Sequence, residues 1–228
     1  MKLRELLLST KVETVRGALD SEITAITYDS RSIQAPGAIF VAISGENVDG
    51  AVFINSATKN GASAIVHEGI LKLDVPPHAK TTYVKVANAR RALADLSARF
   101  YDHPSRNLKL IGITGTNGKT TTSYLIKQIC DHAGLACGLI GTVNYQFGNG
   151  ESIPSVRTTP ESTDIQRLLA RVVNVGSKAV AMEVSSHAIA THRIDGLEFN
   201  SAVFTNLTQD HLDFHRGMSN YFELCLGR

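Results

Sequence analysis

Residues 108–122 read LKLIGITGTNGKTTT, and this stretch decides the fold. Leu108–Ile113 is a continuous apolar run, typical of a buried parallel strand. A glycine-rich turn follows, and then a helix from about Lys119 to His132. Small residues between a buried strand and a helix let backbone N–H groups converge on phosphate oxygens, and the helix N-terminus adds partial positive charge. The stretch therefore predicts a phosphate-binding loop in an α/β sheet.

Two side chains of this loop suit nucleotide chemistry. Lys119 can reach the β- and γ-phosphates, and the Thr120 hydroxyl can ligate Mg²⁺. The strict pattern GxxxxGK[ST] is not met, because its first glycine would fall on Ile113. The loop is thus a variant form, and the competing interpretation is a glycine-rich helix start that binds nothing.

Outward from the loop, short apolar strands alternate with amphipathic helices. In the second half we predict a helix over Thr163–Val173 and strands over Cys137–Gly141, Ala179–Met182 and Ala202–Thr205. In the first half we predict helices over Phe53–Asn60 and Ala89–Phe100, and strands over Ile23–Tyr28, Ile39–Ile43, Ala64–Val66 and Thr82–Val86. This alternation favours parallel sheets with helices on both faces. The breakers Asp102-His103-Pro104-Ser105 place a domain boundary between residues 1–104 and 105–228.

Acids and histidines follow two of the predicted strands. Glu183 ends one strand, and an acid there should lie close to the phosphate loop, because ligand sites gather beyond the carboxyl ends of parallel strands. After the next strand come four candidate metal ligands, Asp210, His211, Asp213 and His215. They could bind zinc, but a hard cation on phosphate favours magnesium. A solvated glutamate and a packing histidine remain the plainer alternatives.

Composition narrows the class of protein. The 228 residues are 43% hydrophobic and 19% charged, with a net charge of +2, which gives no support for nucleic acid or an anionic membrane as partner. The three cysteines, Cys130, Cys137 and Cys225, form no CxxC pair and read as free thiols. The N-terminus lacks a signal-peptide core, and no segment has the length of a membrane span. We expect a cytoplasmic, monomeric protein without membrane insertion.

Four further segments resemble one family. They are TTPES at 158–162, MEVSSHA at 182–188 with Arg193 after it, FTNLTQDHLDFH at 204–215, and YDSR at 28–31 with PGAIFVA at 36–42. With the loop TGTNGKTT at 114–121, they resemble the Mur ligases, and in particular the members that act on UDP-N-acetylmuramoyl-L-alanyl-D-glutamate. The resemblance extends to about Tyr221.

This resemblance implies a reaction of peptidoglycan synthesis. ATP phosphorylates the D-glutamyl carboxylate, and the amine of meso-diaminopimelate or L-lysine displaces phosphate from the acyl phosphate. Phosphoryl transfer needs positioning and charge neutralisation more than a covalent protein group. The family also implies a small UDP-binding domain in 1–104 and an ATPase domain in 105–228.

The same resemblance assigns roles to residues. It implies catalytic roles for Lys119, Glu183 and His211, and a magnesium neighbourhood of Thr120, Glu183 and His211. ATP would contact Gly115, Thr116, Asn117, Gly118, Lys119, Thr120 and Thr121. The UDP-muramoyl dipeptide would contact Ser30, Thr158, Thr159, Ser185 and Arg193. For Arg193 a surface salt bridge is the plainer reading.

Two departures weaken the expectation of turnover. The family carries a C-terminal domain, which we expect to be absent here, and we expect the ATPase domain itself to be incomplete. The family also has a metal-associated carbamylated lysine where this sequence has Cys225. A catalytically inactive fragment that binds ATP or a UDP-sugar is therefore the main alternative to an active ligase. Sister ligases on other UDP-muramoyl substrates, folylpolyglutamate synthetase and a nucleic-acid NTPase fit the motifs less well.

Overall fold

The computed structural model describes residues 1–45, 48–70, 80–208, 217, 219 and 222–223. The chain divides into two units, Met1–Phe100 and Tyr101–Arg228. In the part of the chain that is described, no helix is long and apolar enough to cross a membrane. The functions that the sequence assigns to residues 1–104 and 105–228 remain predictions.

The first unit is a five-stranded sheet with helices on both faces. Its strands lie in the order β1-β5-β4-β3-β2, and only the β1–β5 pair is antiparallel. Its elements are α1 (Leu3–Leu7), β1 (Val12–Arg16), β2 (Ala25–Thr27), β3 (Ala38–Val41), α2 (Ile54–Lys59), β4 (Ala64–His67), β5 (Thr82–Val86) and α3 (Ala89–Phe100). The predicted strands and helices are confirmed, although β2 is shorter than Ile23–Tyr28. Strand β1 was not predicted.

An N-cap residue and an apolar face explain why helix α3 was predicted from the sequence. Asn88 caps α3, since its side-chain oxygen accepts a hydrogen bond of 2.9 Å from the Arg91 amide. The apolar face of α3, including Leu93 and Leu96, packs with Ile39 and Val41 of β3 in one core cluster. The opposite face of the sheet packs against α2 through Ile54 and Ala57.

The second unit is a six-stranded sheet in the order β11-β6-β10-β7-β8-β9. The four strands β11, β6, β10 and β7 are parallel, whereas β8 and β9 form an antiparallel edge. Its elements are β6 (Lys109–Thr114), α4 (Lys119–His132), β7 (Cys137–Ile140), β8 (Asn144–Gln146), β9 (Ser152–Pro154), α5 (Ser162–Asn174), β10 (Ala179–Glu183), α6 (Ser186–Ala190) and β11 (Ser201–Phe204). The β8–β9 hairpin was not predicted.

Alternating residues of β10 and β6 supply the two faces of this sheet. Ile113 and Ala181 form a core cluster with Ile126 of α4. Leu110 and Met182 belong to a second cluster that includes Leu169, Val172 and other residues of α5. Because side chains of a strand alternate between faces, the two helices cover opposite sides. The predicted α/β fold, a mainly parallel sheet with helices on both faces, is confirmed.

Strand register brings the site together. In the parallel pair β10–β6, Glu183 lies opposite Ile113, and the Val184 amide donates to the Ile113 carbonyl at 2.8 Å. Met182 lies opposite Ile140 of β7. The loop after β6, Glu183 of β10 and the turn after β7 therefore share one edge of the sheet.

Candidate active site

Two glycines shape the loop between β6 and α4. Gly115 has φ +126° and Gly118 has φ +84°, conformations that side chains rarely adopt. A Cβ atom on Gly115 would lie 2.3 Å from Thr205 Oγ1 and 2.8 Å from the Asn206 carbonyl oxygen. The loop can approach the end of β11 this closely only because residue 115 is glycine.

The segment after β11 holds the tip of the loop. The Thr116 amide donates to the Asn206 carbonyl, and the Asn117 amide donates to Asn206 Oδ1, both at 3.0 Å. The Thr205 hydroxyl donates to the Asn117 carbonyl at 2.7 Å. Sequence reasoning assigned no role to Thr205 or Asn206. Their position directly after a strand beside β6 was the available signal.

The start of α4 is open to an anion. Gly118 occupies the N-cap position and, having no side chain, provides no cap for the first N–H groups of the helix. Lys119 Nζ donates to the carbonyls of Gly115 at 2.6 Å and Thr116 at 2.9 Å. The ammonium thus lies inside the loop, where a phosphate group can take over its hydrogen bonds.

Glu183 is completely buried and connects three parts of this edge. Its Oε2 accepts from the hydroxyls of Thr120 and Thr142, both at 2.9 Å, and its Oε1 accepts from the Thr142 amide at 3.1 Å. The Ser123 hydroxyl lies 3.4 Å from Oε1, but it has one proton and donates it to the Thr120 carbonyl at 2.8 Å. The expected proximity of Glu183 to the loop is confirmed, whereas its role stays a prediction.

Thr120 and Glu183 offer the oxygen ligands that Mg²⁺ prefers. A hydroxyl and a carboxylate in contact at the start of the helix that follows the predicted phosphate loop fit a magnesium ion on a nucleotide. Among the described residues, no group of three or more histidines, cysteines and acids is arranged to hold a metal. The predicted ligand His211, together with Asp210, Asp213, His215 and Cys225, lies outside the described residues.

Three of the predicted substrate residues of this unit are linked to Glu183 by chains of hydrogen bonds. The Thr158 hydroxyl lies 3.0 Å from that of Thr142. The buried Thr159 hydroxyl donates to the Glu183 carbonyl and accepts from the Ser185 amide, both at 3.0 Å. Ser185 caps α6, since its Oγ accepts from the Ala188 amide at 3.3 Å. The structure thus brings Thr158, Thr159 and Ser185 together.

Arg193 contacts the loop that carries Thr159 and Glu161 through a hydrogen bond and an ion pair. Its Nη1 donates to the Thr159 carbonyl at 3.1 Å, and its Nε lies 3.1 Å from Oε1 of the buried Glu161. Arg157 Nη1 contacts the same oxygen at 3.1 Å. Two guanidinium groups therefore share one oxygen of the Glu161 carboxylate. Sequence reasoning missed Arg157, Glu161 and Thr142.

Ser30 belongs to the first unit. It begins a short 3-10 helix, Ser30–Ser32, whose N-cap Asp29 accepts from the Arg31 amide at 3.0 Å. The Arg31 guanidinium beside Asp29 lowers the pKa of that carboxyl. The Ser30 carbonyl accepts from Asn60 Nδ2 at 2.9 Å. These hydrogen bonds hold the turn that carries Ser30 in place.

Two descriptions of one family match the chain. "Mur ligase family, catalytic domain" matches residues 22–101, and "Mur ligase middle domain" matches residues 113–225.

Curated relatives and a solved structure agree with these matches. The UDP-N-acetylmuramoyl-L-alanyl-D-glutamate–2,6-diaminopimelate ligase of Caldanaerobacter subterraneus subsp. tengcongensis is 44% identical over 97% of this chain, and that of Clostridium perfringens is 42% identical over 97%. A solved structure of a ligase with the same name superimposes with a TM-score of 0.79 at 25% identity, over 98% of this chain and 44% of that one. The chain spans 44% and 45% of the length of the two curated relatives. The chain belongs to the Mur ligase family.

Proposed function

We propose that this chain supplies the nucleotide-binding and UDP-substrate-binding parts of an ATP-dependent ligase of peptidoglycan synthesis. The ligase joins 2,6-diaminopimelate to UDP-N-acetylmuramoyl-L-alanyl-D-glutamate. The names of the curated relatives support this choice of substrates. The observation that carries the proposal is the contact between Thr120 at the start of α4 and the buried carboxylate of Glu183.

ATP binding follows from the chemistry of the loop. The N-terminus of α4 receives the phosphates, and Lys119 exchanges the carbonyls of Gly115 and Thr116 for phosphate oxygens. Thr120 and Glu183 would hold Mg²⁺, which neutralises charge on the phosphates when it is bound. His211 is the third proposed ligand.

The reaction needs positioning rather than a protein nucleophile. The D-glutamyl carboxylate attacks the γ-phosphorus and ADP leaves, which yields an acyl phosphate. The amine then attacks the acyl carbon, phosphate leaves and the amine loses a proton. Arg193, held by Glu161, would pair with an anionic group of the substrate. Thr158, Thr159 and Ser185 would line the same substrate path, and Ser30 would contact the uridine part. Cytoplasmic location and a monomeric state stay predictions.

Calorimetry with UDP-N-acetylmuramoyl-L-alanyl-D-glutamate tests the proposal. We expect binding heat from the folded wild-type chain and strongly reduced affinity in Ser30→Ala and in Arg193→Ala. Ser56→Ala, on the exposed side of α2, and Arg106→Ala, whose partner Glu198 is also exposed, are matched controls that should bind normally. Binding heat that neither site variant changes would contradict the proposed substrate. Release of phosphate on adding ATP and diaminopimelate would separate an active ligase from a fragment that only binds.

A further inference from the structure

Thr142 contacts both oxygens of the buried Glu183 carboxylate. It follows Gly141 at the end of β7, and it is itself exposed. Its amide lies 3.1 Å from Oε1 and its hydroxyl 2.9 Å from Oε2. A Cβ atom on Gly141 would come within 2.2 Å of Oε1, so the turn can hold the carboxylate this closely only with glycine at 141.

The direction of the protons in this network follows from chemistry. Both Glu183 carboxylate oxygens act as acceptors, Oε1 of the Thr142 amide and Oε2 of the Thr120 and Thr142 hydroxyls, so the Thr142 proton points to Glu183. The Thr142 oxygen is then the acceptor in its 3.0 Å contact with Thr158 Oγ1, and Thr158 is the donor. Because a hydroxyl has one proton, Thr158 can offer only its lone pairs to anything else. An incoming N–H group matches such an acceptor, whereas a carboxylate or phosphate oxygen does not.

We infer that Thr142 is a positioning residue that links the proposed magnesium site to the proposed substrate site. It holds the Glu183 carboxylate through two hydrogen bonds. It also fixes the Thr158 hydroxyl as an acceptor for an amide N–H of the muramoyl dipeptide. The inference rests on the proposed function and deepens it, since it names the kind of substrate group that Thr158 recognises.

Four single variants and one double variant test this network. Thr142→Val is nearly isosteric, keeps the backbone amide and removes the hydroxyl, whereas Thr142→Ser keeps both. Thr158→Val removes only the Thr158 hydroxyl, which is the one proposed to contact the dipeptide. Thr58→Val is the matched control, because its hydroxyl donates only to the Ile54 carbonyl within α2 of the first unit. For each variant, calorimetry measures the affinity for a non-hydrolysable ATP analogue in the presence of MgCl₂. It also measures the affinity for UDP-N-acetylmuramoyl-L-alanyl-D-glutamate.

The proposed network predicts which of the two affinities each variant changes. Thr142→Val should weaken both ligands about tenfold, in line with one hydrogen bond to a charged group, and Thr142→Ser should restore both. Thr158→Val should weaken only the dipeptide. The double variant Thr142→Val with Thr158→Val should bind the dipeptide no more weakly than Thr158→Val alone, since Thr142 acts on the dipeptide through Thr158. The rescue by serine is a result that general damage to the fold would not produce.

Other results would overturn the inference. Wild-type affinities in Thr142→Val would remove Thr142 from the network, and additive losses in the double variant would show that Thr142 does not act through Thr158. A wild-type chain that binds the magnesium nucleotide but not the dipeptide would contradict the proposed substrate, and the nucleotide measurements would still decide whether Thr142 positions Glu183. A wild-type chain that shows no magnesium-dependent nucleotide binding would contradict both proposals.

Discussion

The Thr120 hydroxyl donates a hydrogen bond of 2.9 Å to Oε2 of Glu183, which joins the first turn of α4 to the end of β10. Glu183 ends β10, and Thr120 lies in the helix that follows the neighbouring parallel strand β6, so the register of the two strands brings both residues to one edge of the sheet. The same carboxylate reaches the turn after β7 through Thr142. The proposed phosphate loop and the two proposed magnesium ligands are thus parts of one hydrogen-bonded network.

Replacement of Lys119 should weaken nucleotide binding. Lys119→Ala removes the ammonium that donates to the loop carbonyls and would donate to phosphate. A charge-assisted hydrogen bond contributes about 1.5–3 kcal/mol, so the affinity for an ATP analogue should fall by roughly 10–100-fold in calorimetry. Lys127→Ala, on the same helix but paired with Asp131, is the control and should bind normally. Equal affinities for Lys119→Ala and wild type would contradict a phosphate role for this lysine.

Gly115 and Gly118 should differ in their tolerance of a side chain. Gly115→Ala adds a clash with Thr205 and Asn206 to an unfavourable φ, and should lower the free energy of unfolding by about 2–4 kcal/mol. Gly118→Ala has the unfavourable φ but no atom within 4 Å, so its cost should be about 1–2 kcal/mol. Urea denaturation measures both. A loss in Gly118→Ala as large as in Gly115→Ala would argue against the close approach of the loop to β11.

Arg193 should not be replaceable by lysine. Its guanidinium donates to the Thr159 carbonyl and forms an ion pair with Glu161 at the same time. A lysine ammonium cannot make both contacts in the same geometry. Arg193→Lys should therefore lose UDP-muramoyl dipeptide affinity to within about threefold of Arg193→Ala, whereas the nucleotide affinity should stay unchanged. Calorimetry with each ligand checks both statements, and Arg106→Lys is the matched control. Full dipeptide affinity in Arg193→Lys would reduce the role of Arg193 to that of a simple positive charge.

Asp131 should contribute stability that depends on pH. Burial raises the pKa of its carboxyl, but hydrogen bonds from the Lys127 ammonium and the Cys137 amide outweigh burial, and the net pKa is lowered. The folded pKa therefore lies below the unfolded value of about 3.9, so the contribution is complete above that value and is lost as pH falls through the folded pKa.

Denaturant unfolding of wild type and Asp131→Asn at several pH values measures this contribution. The difference in unfolding free energy should be largest above about pH 5 and should shrink toward pH 2. Lys127→Met removes the cation that lowers the pKa, and it should remove most of this pH dependence. A difference between wild type and Asp131→Asn that stays constant over the range would contradict the paired carboxylate.

The sequence predicted the elements better than the contacts between them. Leu108–Ile113 and Ala179–Met182 are long enough and apolar enough to be read as buried strands, and Asn88 marks the start of α3. The hairpin β8–β9 was missed because its strands have three residues each and mix polar with apolar side chains. Strand β1 was missed because most of its residues are exposed, so that no apolar run marks it.

In the candidate site, too, the sequence predicted individual residues better than the contacts between them. Lys119, Thr120 and Glu183 could be found because each directly follows an apolar strand or opens a helix. Thr142 and Glu161 could not, because their importance depends on which strands are neighbours and on the register between them. Small polar residues in turns carry no periodic signal of their own. The pairing of Glu161 with Arg193 emerges only when the loop before α5 meets the turn after α6, whereas Arg157 joins Glu161 from the same loop.

The magnesium dependence of nucleotide binding tests the central claim most directly. A non-hydrolysable ATP analogue would be titrated into wild type and Glu183→Gln, each with MgCl₂ and with EDTA, and circular dichroism would confirm that both proteins are folded. We predict that magnesium strengthens binding to wild type and that this gain is lost in folded Glu183→Gln. The same gain in both proteins, or no gain in wild type, would contradict the assignment of Glu183 and the phosphate loop to a magnesium nucleotide.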